Sequence, residues 1–198
     1  MLYSNLCRLY QVLILIFVIL LFLLHNNSFA YSDIGIGLSP LSINETAFVL
    51  NFSTSINKLK YGFLGIDSGF YITQSKFDHQ TKPEYSGGWG WYHYYEYYKS
   101  YWIITLGMFY SCKITIIPLS LRVSSGFAFE SECIEKKRIN TRAGKFYEHP
   151  AGTDNNVKVS LYFKPEIRFY LRQVFISFSI WKNTKYLKET FLIGFQYK

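Results

Sequence analysis

Cysteine, methionine and charge are all scarce in this chain of 198 residues: three Cys, two Met, and 17% Asp, Glu, Lys and Arg. Three cysteines cannot build the disulfide framework that holds many small secreted domains together. With 49% apolar residues, charge this sparse excludes an intrinsically disordered chain. The four histidines (His25, His79, His93, His149) are scattered, so there is no HExxH and no His/Cys cluster of metal-ligand spacing. A Walker loop and a GxSxG turn are missing too. Beyond residue 30 no apolar run approaches the ~20 residues of a membrane helix. Aromatic residues are plentiful instead, with 18 Tyr, 18 Phe and 4 Trp, or 20% of the chain.

Met1–Ala30 has the layout of an export signal. Arg8 supplies a positive start, Val12 to Leu24 an apolar core, and Ser28-Phe29-Ala30 a small-x-small cleavage site. A retained anchor helix is the alternative, but the run is short for a bilayer. The expected organisation is therefore a signal peptide over residues 1–30 and one domain over 31–198. Export makes nucleic acid a poor partner for a chain whose excess of Lys and Arg would otherwise suggest it.

From there on the apolar residues recur with a period of two, the mark of β-strands. In Leu119 to Cys133 the odd positions are mostly apolar (Leu119, Leu121, Val123, Phe127, Phe129), while the even ones are small or charged (Ser120, Arg122, Ser124, Gly126, Ala128, Glu130, Glu132). Val157 to Phe169 splits the same way, with Lys158, Ser160, Tyr162, Lys164, Glu166 and Arg168 on the polar face. Weaker copies lie at Asp33–Ser39, Ala47–Phe52, Leu64–Thr73, Trp102–Ser111, Val174–Ile180 and Thr190–Tyr197, giving about eight strands. Asp33–Ser39 is the least regular of them. The connectors Asn57–Lys60, Thr115–Pro118 and Leu171–Gln173 are tight, whereas Phe77–Tyr98 and Lys136–Asn156 are expected to be long loops. Short turns at one end and long loops at the other mark an up-and-down transmembrane barrel.

Two barrels satisfy this alternation. A soluble, lipocalin-like barrel would turn the apolar face inward around a small apolar ligand. A membrane barrel would turn it outward into lipid. The polar face mixes Gly, Ser and Thr with charges of both signs (Asp67, Arg122, Glu130, Glu132, Lys158, Lys164, Glu166, Arg168), which suits a narrow interior filled by side chains. The apolar face carries Trp102, Tyr110, Phe129, Phe163, Phe169 and Tyr197 near strand ends, as interfacial girdles do. Lipid outside is the preferred arrangement.

In these features the chain resembles the small eight-stranded outer-membrane β-barrel proteins, in particular the outer membrane protein β-barrel domain common in Bacteroidetes-type bacteria. The residues that carry the likeness are Lys164-Pro-Glu-Ile-Arg-Phe-Tyr-Leu and the closing Phe191-Leu-Ile-Gly-Phe-Gln-Tyr-Lys. Lys198 replaces the terminal Phe more usual there. The resemblance implies a cell outer membrane location in a Gram-negative envelope, contact with outer-membrane lipid and lipopolysaccharide, and insertion by the barrel-assembly machinery. It implies no catalytic residue and no cofactor.

Two segments stand out as candidate contact surfaces. Trp89, Trp91, Tyr92, Tyr94 and Tyr95 open an aromatic stretch that can stack on sugar rings or can belong to an aromatic belt. Lys136, Lys137, Arg138 and Arg142 form a basic stretch suited to lipopolysaccharide phosphates, an acidic glycan or a protein partner, or to plain solubility. An enzyme is not expected, because no histidine lies within the predicted strands to activate a nucleophile. The tight turn after Thr115 also fixes a register. It sets Cys112 opposite Leu121 and Cys133 opposite Ser100, so the two cysteines left after cleavage lie too far apart to pair.

Overall fold

The computed structural model describes residues 31–43, 45–85, 91–114, 116–142 and 145–197. The expected signal segment, residues 1–30, and Trp89 lie outside the described residues. Among the described residues the elements are all strands: β1 (Ser32–Pro40), β2 (Thr46–Leu59), β3 (Gly62–Ile72), β4 (Lys76–Gln80), β5 (Glu84–Tyr85), β6 (Tyr92–Ile114), β7 (Leu119–Arg142), β8 (Lys145–Leu171), β9 (Val174–Ile180) and β10 (Glu189–Tyr197). Eight of them form a ring. Each pairs antiparallel with the next along the chain, β3 pairs with β6, and β1 closes on β10 through Ser32–Tyr197 to Leu38–Phe191. Stepping across the ladders from Ser32 through Thr54, Ile66, Met108, Ser125, Phe163 and Lys182 leads to the chain just past β1, a stagger of about ten residues. That stagger tilts the strands and leaves an interior only wide enough for side chains.

The alternation seen in the sequence decides which way each face points. Outward go Ile34, Ile36 and Leu38 of β1, Leu106 and Met108 of β6, Leu121, Val123 and Phe127 of β7, and Ile167 of β8, all exposed. Inward and buried go Asp33, Asn51, Ser53, Asp67, Arg122, Lys164, Glu166 and Arg168. This is an inside-out protein, with charge at the centre and hydrocarbon outside. A soluble barrel that holds an apolar ligand would have the reverse.

The charges of this central cluster are balanced: Arg122, Lys164 and Arg168 face Asp33, Asp67 and Glu166. Arg122 Nη2 lies 2.9 Å from Asp67 Oδ1, and its Nη1 donates to Ser53 Oγ at 2.9 Å. Arg168 binds Asp33 through Nη1 and Glu166 through Nε, each at 2.5 Å. Lys164 meets Asp67 Oδ2 at 2.5 Å. Only such mutual pairing makes buried ions tolerable. Aromatic rings fill the remaining space: the Arg122 guanidinium lies 3.5 Å from the Phe109 ring centre, and Trp181 packs against Tyr71 and Tyr162. Small residues make room for these rings. A Cβ at Gly107 would strike the Tyr162 hydroxyl, so glycine is required there.

The mouth opposite the short turns is capped by the β9–β10 connection. The backbone N–H groups of Lys185 and Tyr186 donate to the buried Glu130 carboxylate at 3.0 and 2.9 Å. Tyr186 and Leu187 are buried there. Lys158, expected inside, is exposed, because β9 has already ended where Lys158 sits and no wall stands opposite it.

Candidate functional site

Over most of their described residues the expected long loops Phe77–Tyr98 and Lys136–Asn156 are strands. β6, β7 and β8 run on past the ring as 23, 24 and 27 residues, far beyond the ~9–11 that a tilted membrane strand needs. Above the level of Trp102 and Ser131 they form a sheet that projects roughly 30 Å along the strands, at ~3.3 Å per residue. β4 and β5 pair along its β6 margin. Side-chain alternation does not reveal these strands because neither face is apolar. Ladder hydrogen bonds and aromatic contacts hold them.

The register sorts the candidate contact residues onto two faces. Tyr95 lies opposite Arg138, and Tyr97 opposite Lys136. These continue the lumen side of the barrel. Tyr94 lies opposite Ile139, Glu96 opposite Lys137, and Tyr98 opposite Glu135, continuing the lipid side. Of the expected contact residues, Tyr95, Lys136 and Arg138 are therefore brought together, while Tyr92, Tyr94 and Lys137 face away from them. Trp91 packs at 6.2 Å against Tyr147 near the sheet's far end. Arg142 ends β7, paired with Lys145.

On the lumen-side face the Lys136 ammonium sits 3.9 Å from the Tyr95 ring centre and 5.6 Å from that of Tyr97. The His79 ring stacks flat on Tyr97, 4.4 Å away at an angle of 7°. Arg138 lies between Tyr95 on β6 and His149 on β8. Carboxylates occur on this face as well. Glu84 lies 3.5 Å from His93, and Asp78 is bound by His79 at 2.6 Å and by Lys99 at 3.1 Å. The His79 ring, and after it the Lys99 ammonium, hold the Asp78 carboxyl below its ordinary range. Lys136 and Arg138 are left without a carboxylate partner among the described residues, and Arg138 Nε is covered without a hydrogen-bond acceptor. Two cations flanked by tyrosine rings can receive an anionic group and stack the ring that bears it.

The opposite face is acidic. Glu96, Glu135 and Glu148 share it with Lys137, which lies 3.9 Å from Glu148 and 4.7 Å from the Tyr98 ring centre. The Tyr98 hydroxyl donates to Glu96 at 2.7 Å, and that bond to a carboxylate pushes it up to about 12. Sequence reasoning misses His79 and the separation of the two faces. A bulge at Phe77–His79 breaks the alternation that would show the first. The second stays hidden while the segment counts as a loop.

No protein-family model matches the sequence, and no curated protein matches it. Among solved structures, Ail, the attachment invasion locus protein of Yersinia pestis, in complex with the heparin analogue sucrose octasulfate, is similar at 16% identity, covering 84% of this chain and 98% of its own with a TM-score of 0.47. A major outer membrane protein of Thermus thermophilus is similar at 7% identity, over 84% and 99% of the two chains, with a TM-score of 0.47. Neisserial surface protein A is similar at 8% identity, over 85% and 94%, with a TM-score of 0.37.

Proposed function

We propose that this chain is a non-enzymatic integral protein of the outer membrane, whose barrel serves to hold a projecting sheet at the cell surface. The observation that carries this reading is the inside-out ring, with paired ions buried in the lumen and apolar side chains around the outside. A bilayer is the medium that rewards that arrangement. The termini and the short turns share one end, so the projecting sheet stands on the other, the outer face of the cell. Residues 1–30 would direct export and be removed after Ala30, and the barrel-assembly machinery would insert the remainder. The Bacteroidetes-type kinship rests on the export signal, the alternating strands and the Lys164–Leu171 and Phe191–Lys198 segments.

The partner that fits the lumen-side face is an anionic glycan, carrying sulfate or phosphate groups as lipopolysaccharide does. Lys136 and Arg138 supply the unpaired charge, and Tyr95 and Tyr97 the stacking surface. Cell fractionation tests the membrane assignment. Recovery in the detergent-extracted outer-membrane fraction, with mobility on a gel that changes on boiling, is expected, and recovery in the soluble periplasmic fraction would refute it. Retention of the detergent-solubilised barrel on immobilised sulfated polysaccharide tests the partner. The K136Q/R138Q variant should elute at clearly lower salt and K137Q at nearly the wild-type salt.

A further inference from the structure

β8 is fully paired on its β9 side only near its end. From Glu166 to Leu171 it bonds to β9, and above that the seam shrinks to one bridge, Phe163 with Lys182. Two residues end it. Pro165 has no N–H to offer the ladder. Trp181 then turns into the lumen, where its Nε1 donates to Thr190 Oγ1 at 2.9 Å, and the chain that follows folds over the mouth.

The direction of the bonds left open can be read from that bridge. Phe163 donates its N–H to the Lys182 carbonyl at 3.2 Å and accepts from the Lys182 N–H at 2.9 Å. Residues two apart in a strand aim their backbone groups the same way. Leu161, Val159, Val157, Asn155 and Thr153 therefore turn theirs toward the side β9 has vacated. Among the described residues no strand meets them. The other margin of the same sheet is covered by β4 and β5, with the Thr81 N–H bonded to the Tyr95 carbonyl at 2.9 Å between them.

Backbone blocks are absent from this stretch, and its charges, Asp154 and Lys158, lie on the side of the strand away from Val157, Val159 and Leu161. Pro150, Gly152 and the bulge facing Lys136–Lys137 all lie above it. Its side chains suit a packed neighbour: Val157, Val159 and Leu161 are 52%, 53% and 63% exposed. They pair across β7 with Ser131, Phe129 and Phe127, at the top of the apolar belt, where water competes weakly for open N–H and C=O groups.

We infer that the β8 margin from Thr153 to Leu161 is a docking edge for an extended segment of a partner polypeptide, which adds as an antiparallel strand in the place β9 leaves open. Backbone alone supplies the recognition, with an apolar contact to Val157, Val159 and Leu161. The β8 strand of a second copy cannot serve in this way. Two barrels of the same sidedness in one membrane both run β8 toward the short-turn end, so their β8 strands cannot align antiparallel. This edge is a different surface from the glycan-binding face and does not depend on it.

The test uses the full barrel in lipid nanodiscs and a nine-residue peptide of alternating Thr and Val. Amide hydrogen exchange should slow roughly tenfold or more at Val157, Val159 and Leu161. Lys158 and Ser160, whose amides bond to β7, should not change. The same peptide N-methylated at alternate residues should give no slowing. Val159→Pro removes one open donor on the side away from β7, and should abolish the protection while gel mobility still changes on boiling. Unchanged exchange at saturating peptide would overturn the inference. Equal protection by the N-methylated peptide would overturn it too, as would slow exchange at these amides before any peptide is added.

Discussion

Asp67 on β3 and Lys164 on β8 meet across the lumen at 2.5 Å, and the other oxygen of the same carboxylate takes Arg122 at 2.9 Å. One carboxylate thus neutralises two cations from two strands. Asp67→Ala would leave both cations buried and short of charge. The expected loss is about 3–5 kcal/mol, measured by urea unfolding of the barrel in micelles. Asp67→Ala combined with Lys164→Met should cost less than Asp67→Ala alone, because it removes one of the orphaned charges.

The lumen should not conduct. Arg122, Arg168, Lys164 and the Trp181, Tyr71 and Tyr162 rings occupy it from wall to wall. Purified protein in planar bilayers should therefore show no steady, large conductance steps. Reproducible open-channel steps would mean that the interior is not packed as described.

Substitution of the outer face should depend on depth. Leu106 sits mid-strand, pairs with Phe127 and is half exposed, so Leu106→Arg is expected to cost about 2–4 kcal/mol. Leu171 lies at the short-turn rim, and Leu171→Arg should cost about 0–1 kcal/mol. Unfolding titrations in lipid vesicles would compare the two. Equal costs would speak against a lipid boundary at this surface.

Cys112 lies opposite Leu121 near the short turn and Cys133 opposite Ser100 in the projecting sheet, the register expected from the sequence. About twelve ladder steps separate them, roughly 40 Å at ~3.3 Å per residue, so mass spectra of unreduced protein should show no link between them. A membrane-impermeant maleimide added to whole cells should label Cys133 and spare Cys112. Burial pushes the Cys133 thiol up, so labelling should quicken as the medium is made more alkaline.

Asp78 gives the projecting sheet a defined acid response. Its carboxyl titrates below the ordinary value, so its contribution to holding β4 is present above the unfolded value of ~3.9 and fades as pH falls through the lowered one. Carboxyl carbon NMR should place the Asp78 midpoint below the ordinary ~3.9. His79→Ala, by removing the larger cause, should raise the midpoint toward ~3.9.

The membrane part of the fold is legible in the sequence because lipid enforces it. On β7, Leu121, Val123 and Phe127 must face out and Arg122, Ser124 and Glu130 must face in, so a period of two survives in the residues themselves. The β6–β7 register follows from the tight turn, which leaves the ladder no slack. The projecting sheet obeys no such rule. With Tyr, Lys and Glu on both faces, its strands carry no apolar stripe, and their pairing comes from the backbone. Asp33 escapes notice as a lumen partner because β1 is short and its other inward positions are glycines and serine. Lys185 and Tyr186 cap the mouth through backbone bonds to Glu130, a contact no pattern in the sequence encodes.

The closing seam joins Ser32 to Tyr197, strands from opposite ends of the domain. Neither β1 nor β10 has its second neighbour until β10 has been made, so the ring stays open while β1 to β9 are synthesised. During that interval two sticky margins, Ile34–Leu38 and Phe191–Phe195, travel exposed through water. The interval between synthesis and closure is the vulnerable period in the life of this molecule, and an escort would have to shield both margins until they meet.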